Sequence, residues 1–186
     1  MRMILVPPYR GAGYDFKPEE EPYYHQVLGQ LRDAGQLDGV TVDIDPGVHT
    51  DHVSASRDQA LFDHLAVAVQ SRVREIVARG EHDAIVVLGG IDVGFDAVRA
   101  ISPIPVAYPI HSALHMGSLI ADRLAYVDMS DPQAARVRRA ARAYGLDHKL
   151  VSVRNYGRSS TETSPILRTA MDGGTISPTA DELLDQ

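Results

Sequence analysis

The sequence predicts an α/β protein, with parallel sheets flanked by helices. Three observations predict it. Short β-rich runs alternate with segments of helical periodicity along the chain, which is the pattern of a parallel sheet with right-handed crossovers. The run Asp83-Ala84-Ile85-Val86-Val87-Leu88 is almost continuously apolar, as in strands covered on both faces. A Gly-rich turn, Gly89-Gly90-Ile91-Asp92-Val93-Gly94, follows it directly, at the strand end where open parallel sheets place ligands.

Each element follows from local pattern. Residues 2–6 form a first strand, stopped by Pro7-Pro8, and residues 7–22 form a loop rich in Gly, Pro and acid. Residues 23–34 carry Tyr24, Val27, Leu28 and Leu31 on one helical stripe, with Gly35 as the stop. Residues 40–44 alternate as a strand, and a polar loop with His49, Asp51 and His52 follows. Residues 56–78 form a long helix on which Leu61, Leu65, Val69, Val73 and Val77 recur. After the strand at 83–88 and its turn come a short helix at 92–100, a strand at 104–108 and a helix at 111–123. A strand at 124–128 and a helix at 132–144 follow, with Pro132 in its first turn and Gly145 past its end. A last strand covers 150–154, and residues 163–171 form a short helix. These elements suggest a first lobe over 1–103, a second, smaller lobe over 104–171 and a loosely held tail over 172–186.

Composition narrows the partners. The chain has 186 residues, 44% apolar and 23% charged, which suits a globular protein with a real core. Its net charge of −7 repels phosphate backbones, so nucleic acid is not an expected partner. The one basic cluster, Arg136, Arg138, Arg139 and Arg142, has helical spacing and reads as a solvated helix face. The absence of cysteine excludes disulfides, thiolate metal sites and cysteine nucleophiles from this chain. No apolar run approaches the ~20 residues of a membrane helix. The apolar start is broken at Pro7, too short for a signal peptide. The expectation is a cytoplasmic protein with no membrane partner.

The glycines of the turn let a ligand approach the backbone, and the amides opening the next helix suit a carboxylate or phosphate. The spacing is neither G-x-G-x-x-G nor a P-loop, since no Gly-Lys-Ser/Thr follows. The plainer reading is a tight turn packed closely by its glycines.

The stretch from Asp83 to Ala97 resembles the first active-site segment of the aspartate/glutamate/hydantoin racemase superfamily. Pro105-Val106 followed by His111-Ser112-Ala113-Leu114-His115-Met116 resembles the segment after it. Residues 124–130 and Ala140-Ala141-Arg142-Ala143-Tyr144-Gly145-Leu146 continue the likeness toward hydantoin and allantoin racemases. The resemblance is close over residues 80–155 and loose over 1–79. It implies two flavodoxin-like lobes and cofactor-free chemistry at an acidic carbon beside a carboxylate or amide carbonyl. In that family two cysteines flank the carbon, one thiolate taking the proton and the other thiol returning it.

This sequence departs from the pattern. The first cysteine position aligns with Gly89, and no cysteine exists to serve as the second. The first-strand turn reads Pro7-Pro8-Tyr9-Arg10 where the family has an Asn-Pro-Asn-like turn. Two-thiol racemisation therefore has no thiol from this chain. Arylmalonate decarboxylases share the glycine at the first position but keep the second cysteine, so another residue would have to donate the proton here.

Two groups of residues could do so. Tyr9 and Arg10 follow the first strand. Arg10 could clamp a carboxylate and Tyr9 donate a proton, or both could be ordinary loop residues. Tyr108, His111, Ser112 and His115 follow the fourth strand. His111, at a helix start near the expected cleft, suits a titrating acid/base, whereas His115 reads more simply as a packing residue. The i, i+4 histidine pair lacks the Glu and third ligand of a zinc site, so no metal and no cofactor is expected. Asp92 either orients a ligand as a carboxylate or caps the helix that follows it. The candidate catalytic residues are thus His111, Asp92 and Tyr9. Gly89, Gly90, Ile91, Arg10, Ser112 and Tyr108 are candidates for substrate binding.

Three functions follow as alternatives. One is a cofactor-independent lyase or isomerase acting on a small carboxylate or cyclic amide without cysteine. Another is a non-catalytic paralogue that binds a ligand or completes a partner's site. The third is a hydrolase on the same scaffold. The shortened second lobe suggests self-association, or assembly with a paralogue.

Overall fold

The computed structural model describes residues 1–8, 22–48, 58–89, 92–128 and 131–155. The chain divides into two compact units, Met1–Ser112 and Ala113–Gln186.

The first unit holds β1 (Arg2–Val6), α1 (Pro22–Asp33), β2 (Thr41–Ile44), α2 (Gln59–Arg79), β3 (Ala84–Val87), α3 (Phe95–Ile101) and β4 (Val106–Ala107). The strands form one parallel sheet in the order β2-β1-β3-β4. The α/β architecture read from the sequence is therefore the one found. β1 pairs with β2 on one side (Met3 beside Val42) and with β3 on the other (Met3 beside Ala84). The chain thus leaves β1 in one direction and returns past it in the other, making the β1/β3 pair the switch point of the sheet.

The core sits between this sheet and α2. Ile4, Val6, Ile85 and Val87 point from the strands into a cluster with Leu61, Phe62, Leu65, Val69, Val73 and Ile76. The predicted stripe holds through Val73 and then shifts, with Ile76 buried and Val77 half-buried. A strict four-residue repeat drifts about 40° per step around a 3.6-residue helix, so a neighbour takes over the inward face.

Helix α2 begins at Gln59, later than the predicted residue 56. The Asp58 carboxylate accepts the Leu61 N–H at 2.9 Å and fixes the start there. Strand β4 shrinks from the predicted 104–108 to two residues. Pro105 has no N–H to give a ladder, and the Ile85 N–H ties in at the Pro105 carbonyl instead, at 2.9 Å.

Ion pairs anchor β2 through Asp43, its third residue, and Asp45, just past its end. Asp43 Oδ2 meets Arg2 Nε at 2.7 Å and His82 Nε2 at 2.9 Å. Asp45 is 1% exposed and engages Arg72 of α2 through Nε and Nη2, the shorter contact being 2.6 Å. Asp45 also accepts the Gly47 N–H at 2.9 Å. The Asp45 hydrogen bonds are the main influence raising the Arg72 pKa further above its already high value, against the opposing effect of burial.

Helix α4 (Pro109–Ile120) starts two residues before its predicted beginning and contains the division between the units. The second unit continues with β5 (Leu124–Asp128), α5 (Asp131–Ala143) and β6 (Leu150–Asn155). β5 and β6 pair in parallel, with Tyr126 beside Val153. Helix α5 buries Gln133, Ala134, Val137 and Ala141 at helical spacing. Of the arginine cluster, Arg138, Arg139 and Arg142 are exposed as expected, while Arg136 is half-buried. Among the described residues, no helix is long and apolar enough to cross a membrane. The predicted helix at 163–171 and the tail lie outside the described residues.

Candidate functional site

The site grows from the end of β3. The Leu88 N–H donates to the Val6 carbonyl at 2.9 Å, holding the exits of β1 and β3 side by side. The backbone then turns sharply. Gly89 has φ 97° and Gly94 has φ 70°, conformations that suit glycine. Asp92 has φ 41°, the one positive φ at a non-glycine residue among those described.

Asp92 adopts this conformation in a buried setting where both carboxylate oxygens are engaged. Oδ1 accepts the Ile110 N–H at 3.0 Å and Oδ2 the His111 N–H at 2.7 Å. These are first-turn amides of α4, which have no partner inside the helix; Pro109 ahead of them has no N–H to satisfy. The carboxylate also lies at the positive end of the helix dipole. Asp92 is therefore a helix cap, but for α4 and not, as the sequence suggested, for the helix that follows it. Helix α3 starts only at Phe95, not at 92, because the left-handed residues Asp92 and Gly94 come first.

Three aromatic rings stand beside this cap. Tyr108 is buried, and its hydroxyl donates to the Val93 carbonyl at 3.1 Å. Burial, and secondarily the Asp92 charge, push the Tyr108 phenol far above the ordinary tyrosine range, so it stays protonated. Phe95 meets the Tyr108 ring edge-on at 5.4 Å and stacks on the His111 imidazole at 4.6 Å. The Arg99 guanidinium lies 5.2 Å from the centre of the Phe95 ring, one helical turn along α3.

The structure thus brings Asp92, Tyr108 and His111 together, with Gly89 at the head of the same turn. Ser112 is half-buried in α4, and its N–H donates to the Tyr108 carbonyl at 2.9 Å. Tyr9, Arg10, Gly90 and Ile91 lie outside the described residues, as do His49, Asp51 and His52. His115 belongs to the second unit, where its ring is 6.0 Å from that of Tyr144. Among the described residues, no group of three or more His, Asp or Glu side chains could hold a metal ion. Sequence reasoning missed Phe95. The only sequence signal was its place at a helix start directly after the glycine turn.

This geometry can be set beside known proteins. No family model matches the sequence, and no curated protein matches it. Solved structures do. An allantoin racemase from Klebsiella pneumoniae matches 98% of this chain and 65% of its own, at 17% identity and TM-score 0.67. An allantoin racemase from Pseudomonas fluorescens matches 92% of this chain and 67% of its own, at 17% identity and TM-score 0.70. A glutamate racemase from Campylobacter jejuni matches all of this chain and 66% of its own, at 12% identity and TM-score 0.54.

The chain has the fold of these racemases. At such identities the likeness is one of fold, and this chain spans about two thirds of each protein's length. The fold implied by the sequence resemblance is thereby found.

The chemical resources of the turn are specific. Asp92 already takes two amides at the α4 N-terminus, so those donors are committed within the protein. The His111 ring, held from one side by Phe95, is a titratable group at the carboxyl edge of the sheet.

Proposed function

We propose that the chain is a cofactor-independent isomerase or lyase acting on a small carboxylate or cyclic amide, without cysteine acid/base chemistry. The observation that carries this reading is the placement of His111 beside the Gly89–Asp92 turn, at the switch point of a racemase-type sheet. His111 serves as the acid/base that moves a proton at the carbon next to the carbonyl. Backbone amides of the turn at Gly89, Gly90 and Ile91 hold the developing negative charge, and Arg10 and Ser112 orient the substrate. Tyr9, which follows β1 in the sequence, supplies a second proton donor. Asp92 acts through His111, by fixing the backbone that carries it. Tyr108 holds the turn through Val93.

A second reading, a non-catalytic ligand-binding module, is favoured by one observation. Both Asp92 oxygens serve main-chain amides, which leaves His111 as the titrating side chain of the described cluster.

Proton exchange separates the two. Allantoin, a hydantoin and glutamate are incubated with the protein in deuterium oxide and followed by proton NMR. Catalysis predicts loss of the signal from the carbon-bound proton with one of them, and His111→Ala slows this by about 100-fold or more. No exchange with any substrate, together with ligand-induced thermal stabilisation, would leave the binding reading in its place.

A further inference from the structure

The second unit carries a recess that the proposed chemistry does not use. It lies along β6 and α5 and has a volume of about 430 Å³. Arg138 and Arg142 from α5, Arg154 from β6 and Asp147 from the connection between them supply its charged lining. In a chain of net charge −7, three guanidiniums meet one carboxylate here.

Arg138 is anchored, with Nη2 donating to the Val153 carbonyl at 2.6 Å. Arg142 and Arg154 are different. Among the described residues neither has a carboxylate within ion-pair distance, although Asp147 lines the same recess. Arg138 and Arg142 are also an i, i+4 pair of like charge, an arrangement that weakens a helix unless something neutralises it. Two other arginines of the described residues are paired, Arg72 with Asp45 and Arg2 with Asp43.

We propose that this recess binds a small oxyanion carrying two or more negative charges. Guanidinium forks match the oxygens of carboxylate and phosphate groups, and their weak hydration makes the exchange of water for anion favourable. The volume exceeds what a single phosphate group needs and suits a metabolite-sized molecule with an anionic group at the arginines. Phosphate and polycarboxylate share this chemistry, and the test distinguishes them.

The full chain, labelled with nitrogen-15, is titrated with inorganic phosphate and separately with citrate, against sodium chloride of matched ionic strength. The expected result is a saturable shift of the Ser152–Arg154 and Arg142 signals by at least one of the two, with Kd about 1 mM or tighter. Saturation by phosphate alone, or by citrate alone, supports the site and names its class. Arg142→Gln combined with Arg154→Gln weakens binding roughly ten-fold or more. Arg139→Gln, exposed on the same helix and outside the recess, leaves it unchanged. All three replaced side chains are exposed, and circular dichroism verifies that the variants fold. Shifts that stay linear, that sodium chloride reproduces, or that Arg139→Gln weakens equally would overturn the proposal.

Discussion

The Asp92 carboxylate accepts the backbone N–H of His111 at 2.7 Å, although the two residues are 19 positions apart and belong to different elements. The cap of α4 is thus delivered by the turn after β3. Replacing Asp92 by Asn keeps tolerance of the left-handed backbone and one acceptor, but removes the charge and the second acceptor. Urea unfolding is expected to show a loss of about 1 kcal/mol for Asp92→Asn and about 2–3 kcal/mol for Asp92→Ala. Negligible losses in both variants would mean that the carboxylate caps nothing.

Arg72 and Asp45 give a second expectation. Asp45 is almost wholly buried, and removing its partner leaves that charge uncompensated. Arg72→Met should cost about 3 kcal/mol, while Arg72→Met combined with Asp45→Asn recovers much of the loss, because Asn can still accept the Gly47 N–H. Additive losses in the double variant would contradict this.

The Asp43 carboxyl gives a pH dependence. Burial alone would raise its pKa, but hydrogen bonds from His82 and Arg2 outweigh burial and hold it below the usual aspartate value. A group depressed on folding contributes stability that is present above its unfolded pKa and lost as pH falls through the folded one. Asp43→Asn should therefore flatten the acid limb of the stability–pH curve below the usual carboxylate range and leave its slope near neutrality unchanged. A slope changed between about pH 6 and 8 instead of on the acid limb would contradict this.

Gly94 provides a steric test. A Cβ there would stand 3.2 Å from the Ala66 carbonyl oxygen and 3.3 Å from the Ala66 Cα, at a left-handed φ of 70°. Backbone cannot move aside as a flexible side chain can. Gly94→Ala is expected to cost roughly 1–3 kcal/mol in thermal or urea unfolding. A neutral result would show that α2 and α3 can separate at this point.

What the sequence made legible is what local pattern carries. The bounds of β1 and β5 were readable because an apolar run and its stop lie within a few residues of each other. The α2 stripe was readable because Leu61, Leu65, Val69 and Val73 repeat at nearly one turn. Gly89, Asp92, Tyr108 and His111 were recognisable as candidates from their places at strand ends. The partners of Asp92 were not, because no periodicity links residue 92 to the amides of residues 110 and 111. The Phe95 stack on His111 was equally hidden, since it exists only once β3 and β4 lie side by side. Long-range pairings of this kind are fixed by the fold and leave no mark in a short window of sequence.

The borrowed cap on α4 couples two stretches of chain in time as well as in space. The Ile110 and His111 amide hydrogens can reach solvent only when the Asp92 carboxylate lets go of them. Their deuterium uptake therefore clocks the opening of the bend after β3, and the helix and that bend breathe as one cooperative unit.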